Sequence, residues 1–321
     1  MSQANQLDNT MNVFDRKTKK LQKERAAMDS DYQTFNYLKD EVGYRLADRI
    51  FDINKQFPIA VDLGCGFGHA SQHLNRDTIG KLIMCDQSEL VLAKAAVPDD
   101  IPLQKLIVDE ENLPFEENSV DLVLSSLSLH WVNQLPSTFQ QIHRCLKNDG
   151  VFIGCLFGGE TLFELRGALQ LAEIEREGGF AAHISPFAQV RDIGSLLNRA
   201  GFTMLTIDTD EIRVGFPSIF ELMNDLKGMG ESNASWIRKA HLHRDTMFAA
   251  SAIYKELYGN ADGSIPATFQ IIYMIGWKPD PSQPKALERG SGNVSLKDIY
   301  RLDEIVKEEG FVPQENEDTK S

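Results

Sequence analysis

Val61-Asp62-Leu63-Gly64-Cys65-Gly66-Phe67-Gly68 is the stretch whose reading decides the fold. Pro58 precedes it, and residues 59–63 form a short apolar run ending in an acid and then glycines, which predicts a buried strand. A G-x-G-x-G turn directly after a strand lets the backbone of Gly64 and Gly66 pass close to a ligand. A helix predicted over 68–74 would add amides and a positive dipole end for an anionic or polar group.

Outward from this turn, strand-like runs recur at 82–86, 103–109, 120–126 and 151–157, with helical patterns at 89–96 and 138–146 between them. Gly150 is placed to end the second of these helices in a left-handed cap. Upstream, Phe35, Leu38, Val42, Leu46 and Ile50 recur at three- and four-residue steps, as on one face of a helix. Downstream come helices at 160–177 and 188–200, a strand-like run at 201–209, a mostly helical Met- and aromatic-rich segment at 217–258, and a last strand at 268–277. Alternating strands and helices predict an α/β fold, a Rossmann-like doubly wound sheet of seven strands with a helical insert. The divisions expected are a basic N-terminal arm over 1–33, the α/β domain over 34–280 with its insert at about 217–258, and a polar acidic tail over 281–321 carrying a short helical stretch at 296–306.

Composition narrows the function. The 321 residues carry 33 Lys and Arg against 47 Asp and Glu, a net charge of −14, which repels phosphate backbones and argues against a nucleic-acid partner. No apolar run approaches the roughly 18 residues of a membrane span. Cys65, Cys85, Cys145 and Cys155 stand singly, without the pairing of a structural zinc site. Residues 1–10 lack the apolar core of a secretory signal and the Arg-rich face of a transit peptide. Six basic residues fall within 16–25, while the charges of 308–318 are all acidic. Both segments read as solvated faces; for the basic one, an anionic partner or lipid headgroups is the second reading.

Asp86 ends the second strand, 24 residues beyond Asp62, where a carboxylate can accept ribose hydroxyls. Gln87 follows it. Asp109 and Glu110 close the third strand, near an adenine amino group, and Ser126 ends the fourth. Glycines and acids at successive strand ends define a nucleoside site. A dinucleotide fingerprint is G-x-G-x-x-G, whereas here Asp62, Gly64, Gly66 and Gly68 stand as D-x-G-x-G-x-G, with Cys65 between the first two glycines.

That signature resembles the class I S-adenosylmethionine-dependent methyltransferases. The resemblance implies S-adenosylmethionine as cofactor, an antiparallel last strand at 268–277, and a match of Leu113-Pro114-Phe115 to the segment before the fourth strand. Residues 126–132 (SLSLHWV) are similar to the branch that holds the malonyl carrier-protein methyltransferases. VFDRKTKK, NYLKDEVG, SSLSLHWVN, FIGCLFGG, ETLFELR, EREGGF, HISPF, LHRDTM and IIYMIGW together resemble, over nearly the whole chain, the mitochondrial complex I assembly factors of methyltransferase fold. This narrower resemblance implies arginine hydroxylation on a complex I subunit, and an address in the mitochondrial matrix or peripherally on the inner membrane. The residues themselves read as a methyltransferase. Two alternatives follow: methylation of a protein or carrier-bound acid, and a non-catalytic assembly chaperone that binds the cofactor.

His130 and Trp131 follow the fourth strand, where open α/β sheets place their ligands. They are the catalytic candidates, His130 for proton exchange; a packed pair fixing the loop is the alternative. His243-Arg244-Asp245 is the one H-x-D, but i and i+2 on a helix diverge, so no metal site is assigned. A guanidinium substrate needs a carboxylate, and Glu160, Glu164, Glu173 and Glu177 are the candidates, with a solvated helix face as the plainer reading. The Met and aromatic residues of the insert, Phe216, Met229, Trp236 and Tyr254 among them, read as the packing of a cap.

Overall fold

The computed structural model describes residues 12–284 and 289. The chain divides into two units, Met1–Pro281 and Ser282–Ser321; the first is described below. The expected tail helix at 296–306 lies outside the described residues.

Seven strands form one sheet: β1 (Phe57–Leu63), β2 (Ile79–Asp86), β3 (Leu103–Ile107), β4 (Val120–Ser126), β5 (Leu146–Phe157), β6 (Thr203–Phe216) and β7 (Ile265–Trp277). Their order is β3-β2-β1-β4-β5-β7-β6. The first five pair in parallel, and β7 runs antiparallel to both β5 and β6. The order reverses between β1 and β4, so the carboxyl ends of those strands open a crevice there.

Period-2 alternation splits the core into two layers. Ala60 of β1 and Ile153 and Cys155 of β5 face one cluster, with α2 (Tyr37–Phe51), α5 (Phe163–Glu177), α7 (Ile219–Gly228) and α8 (Arg244–Tyr258) against it. Val61 and Leu63, with Phe152 and Leu156, face the other, under α4 (Leu135–Cys145) and α6 (Val190–Ala200). A shorter α3 (Glu89–Lys94) follows β2, capped by the Ser88 side chain. Gly178 and Gly201 end α5 and α6 at φ +71° and +97°, conformations that favour glycine.

Four expectations need correction. No α-helix opens at Gly68: residues 66–70 turn and a single 3-10 turn, Ser71–His73, follows. Gly68 itself takes φ +84°, and a side chain there would overlap the Ala96 carbonyl, so the chain is held as a loop rather than wound. Gly150 does not cap a helix. α4 stops at Cys145 because Leu146 is buried and already pairs with Val120, and Gly150 lies inside β5 where the register to β4 shifts, with Lys147 and Asp121 carbonyls too close for a Cβ. The insert is two helices, α7 and α8, separated by non-helical 229–243. Its aromatic residues divide: Phe216 and Tyr254 are buried, whereas Trp236 and Phe248 are more than half exposed.

The fourth concerns the basic segment. It forms α1 (Arg16–Met28), started by Asp15, whose side chain accepts from the Thr18 amide (3.0 Å). α1 is not a solvated face. Lys19 is 1% exposed, Nζ donating to the carbonyls of Gly230 and Ser232 (2.9 Å each) and lying 3.4 Å from the Trp131 ring centroid. Burial of a lysine is tolerated here because carbonyls and an aromatic face replace its water.

Gly43 of α2 lets that helix touch the loop after β1. A Cβ on it would overlap the His69 carbonyl and lie 2.8 Å from the Ala70 amide nitrogen. Alanine gains about 1 kcal/mol in helix propensity, but overpacking against backbone costs typically 1–3 kcal/mol. Gly43→Ala is therefore expected to lower the thermal midpoint, by about 2–4 °C for each net 1 kcal/mol; a raised midpoint in calorimetry would contradict this packing.

Candidate functional site

The site is assembled at the carboxyl ends of β1, β2 and β4. Gly64 leaves β1 at φ +72°, and a side chain there would overlap Ser128 Oγ and approach Glu110 Oε1 to 2.9 Å. Gly66 turns at φ +57° with free space, a Cβ standing 3.4 Å from the His69 ring. These glycines, with Phe67, Ser126, Lys23 and Lys39, line a cavity of about 390 Å³. Asp62 does not face it: fully buried, it accepts from Ser71 Oγ (2.5 Å), while its Oδ1 has no partner, and it pins the loop from below. Cys65 is buried beside it, its thiol pushed up by burial and by Asp62, so it is a filler and no nucleophile.

Asp86 is fully buried at the end of β2. Its Oδ2 accepts from the Gly66 amide (3.2 Å) and from Lys23 Nζ (3.1 Å), and its Oδ1 from the Ser88 amide (2.9 Å). Glu110 is equally buried and accepts from Ser128 Oγ (2.7 Å), Gln87 Nε2 (2.9 Å) and Arg16. Asp109, more exposed, pairs with Arg16 Nη2 at 2.8 Å. Burial alone would raise the Glu110 pKa, but Arg16 and Lys23 outweigh it and hold the carboxylate well below its usual range. Both cations come from α1, which thus covers the crevice.

His130 and Trp131 lie in a buried 3-10 turn after β4. His130 stacks among Trp131, Phe157 and Phe187, its Nδ1 has no partner, and Nε2 stands 3.4 Å from Glu231 Oε2. Burial lowers its pKa and keeps it neutral. Trp131 Nε1 donates to Glu231 Oε2 (2.8 Å), and Phe14 meets its ring edge-on. Neither lines the 390 Å³ cavity.

Sequence reading missed Arg16, Lys23, Lys39 and Glu231. Lys39 Nζ pairs with Glu231 Oε1 (2.6 Å) and donates to the Met229 carbonyl (2.9 Å). Glu231 lies just beyond Gly228 and Gly230, and two glycines that stop a helix immediately before an acid were the available signal.

The acids proposed for a guanidinium lie elsewhere. Glu160 is exposed, Glu164 is buried on Thr268 Oγ1 (2.5 Å), and Glu173 takes Lys239 (2.6 Å) and the Ala181 amide (2.6 Å). Glu177 accepts from Thr246 Oγ1 (2.8 Å) and pairs with Lys239. His243 caps α8 and Asp245 lies in its first turn. Among the described residues no group of three or more His, Cys, Asp or Glu could hold a metal ion, and no helix is long and apolar enough to cross a membrane.

Residues 61–154 match the methyltransferase domain family. A methyltransferase-fold protein of Bacillus halodurans superposes with a TM-score of 0.51 at 16% identity, over 73% of this chain and 99% of its own, a likeness of fold. Sheet order, glycine turn and acid-ended strands thus define a class I methyltransferase-fold protein. Mitochondrial arginine-hydroxylase NDUFAF5 of mouse is 58% identical over 93% of this chain and 87% of its own, and that of zebrafish 56% over 92% and 92%. A malonyl-[acyl-carrier protein] O-methyltransferase of Xylella fastidiosa is 31% identical over 83% and 89%. The chain belongs to the arginine-hydroxylase NDUFAF5 family.

Burial raises the Asp62 pKa to about 7, with Ser71 opposing and Asp86 adding to the rise. The folded state thus holds a proton that the unfolded chain releases near its ordinary value of 3.8. Stability from this group is complete below that value and is lost as pH rises toward 7. Asp62→Asn is expected to lose less thermal stability than the parent between pH 4 and 7.5; parallel profiles would contradict the buried, protonated Asp62.

Proposed function

We propose that this protein binds S-adenosylmethionine over the glycine turn and hydroxylates an arginine side chain of a protein substrate. The observation that carries the activity is the 58% identity to mouse arginine-hydroxylase NDUFAF5 over 299 residues, 93% of the chain. The motif resemblance over nearly the whole chain, together with relatives named mitochondrial, supports a complex I subunit met during assembly as the substrate and an address in the mitochondrial matrix, peripheral to the inner membrane.

The crevice residues fit the cofactor. Gly64 and Gly66 form a cradle that side chains would fill, and buried carboxyl groups stand at the end of β2, on Asp86, and just beyond β3, on Glu110. Asp86 would hold the ribose, Asp109 and Glu110 would orient the adenine, and Ser126 and Gln87 would border it. When bound, adenosylmethionine supplies a sulfonium carrying an activated methyl group. Lys23 now occupies Asp86 Oδ2, so the ribose must share that oxygen or displace the lysine. His130 is kept neutral and dry, its orphaned Nδ1 able to accept a proton and Nε2 turned to Glu231. Glu231 fixes the rings of both His130 and Trp131 through one oxygen.

Methylation is the second reading, favoured by the methyltransferase domain match over 61–154 and by the malonyl carrier-protein methyltransferase among the relatives. Mass spectrometry of complex I subunits from cells with and without the protein separates the two. The expected result is the gain of one oxygen atom on an arginine, lost in its absence. A gain of one methylene would transfer the assignment to methylation, and no protein-dependent shift would end the enzyme reading. In calorimetry, Gly66→Asp, which places a side chain at φ +57° in the cradle, is expected to abolish adenosylmethionine binding; undiminished binding would move the cofactor away from this turn.

A further inference from the structure

A larger pocket, with about 720 Å³ of empty space that is partly open to solvent, lies between α5 and α7 and is not part of the glycine-turn crevice. Leu162, Leu165 and Leu169 form one wall, Met223 and Leu226 the other, and Glu231 stands at its inner end. Lys39 and Met229, on the other side of Glu231, line the crevice. The Lys39–Glu231 ion pair is therefore the partition between the two cavities.

The chemistry of that partition selects an occupant. Glu231 is nearly dry; burial alone would raise its pKa, yet Lys39 and its neighbours hold it far below the ordinary value, so it is ionised. A carboxylate offers about four acceptor positions. Lys39 uses one on Oε1, and Trp131 and His130 occupy Oε2, which leaves a position on Oε1. A slot with leucine and methionine walls, joined by His183, Ser185, Ser232 and Asn233, that ends in an ionised carboxylate suits a side chain with an aliphatic stem and a cationic tip. An acyl chain would bury its methyl end against a charge. The α5 carboxylates do not compete, since Glu164, Glu173 and Glu177 are spent on Thr268, Lys239 and Thr246, and Glu175 is exposed beside Arg176.

Resting on the hydroxylase reading above, we propose that this cavity is the binding site for the substrate arginine. Its methylene stem lies along Leu162, Leu165 and Leu226, and its guanidinium meets Glu231 at the wall shared with the cofactor crevice. Glu231 is then a specificity residue. It also positions His130 and Trp131, so one carboxylate links recognition to the dry turn beside the crevice.

The test uses the full chain, a peptide with one central arginine and the same peptide with neutral citrulline, with binding read by fluorescence anisotropy. The arginine peptide is expected to bind on the order of tenfold or more tightly than the citrulline peptide, as a charge-assisted hydrogen bond implies. That gap should collapse in Glu231→Gln, and Met223→Trp should weaken both peptides by narrowing the slot. Retained adenosylmethionine binding and thermal midpoint show that the variants fold. Independently of any variant, hydrogen exchange on the parent protein should slow at 162–169 and 231–233 with the arginine peptide. Equal affinity for the two peptides, a gap that survives Glu231→Gln, protection elsewhere, or displacement of the peptide by octanoate would each overturn the assignment. Arginine seated in the cavity without oxygen gain would leave the site standing and sink the hydroxylase reading; oxygen gain unaffected by Glu231→Gln and Met223→Trp would do the reverse.

Discussion

Two fully buried carboxyl groups lie above the sheet, Asp86 at the end of β2 and Glu110 three residues beyond β3 in the loop rather than closing that strand, and a buried charge is stable only if it is paired and hydrogen-bonded. Backbone and hydroxyl donors supply part of that compensation: the Gly66 and Ser88 amides for Asp86, Ser128 and Gln87 for Glu110. The charge itself is met by Lys23 and Arg16 of α1. Removing one partner of such a pair leaves an unpaired charge in low dielectric, which costs about 3–5 kcal/mol. α1 must therefore dock for the acid-ended strands to be tolerable, and docking brings Lys19 under Trp131 and against Gly230 and Ser232. That contact in turn places Glu231. Much of the architecture above the sheet follows from compensating two acids.

Under the function proposed above, the same arrangement lets one small region serve two ligands. The cofactor crevice needs negative charge at the strand ends, and a guanidinium substrate needs a carboxylate of its own. Glu231 and Lys39 separate these demands: the lysine neutralises the acid toward the crevice, while the acid stays ionised toward the larger cavity. His130 sits between, neutral because it is buried.

The sheet and the glycine turn were legible in sequence because both are local. β4 was placed to the residue, and Asp62, Gly64, Gly66 and Asp86 fall at strand ends that periodicity marks directly. The helix expected at 68–74 failed because glycine at φ +84° and the nearby Ala96 carbonyl decide the backbone there, and neither shows in a hydropathy pattern. The reading of 16–25 as a solvated face failed for a tertiary reason. Its cations answer acids about 63 to 94 residues away, and a charge run looks the same whether its partner is water or a buried carboxylate. Glu231 was hidden likewise, since its partners Lys39 and Trp131 come from distant parts of the chain.

α1 is a wall of the crevice over the glycine turn rather than an appendage. Hydrogen exchange with and without adenosylhomocysteine tests it most directly. Ligand should slow exchange of the amides of residues 16–28 together with those of 64–68. Protection confined to 64–68, or faster exchange in 16–28, would contradict it.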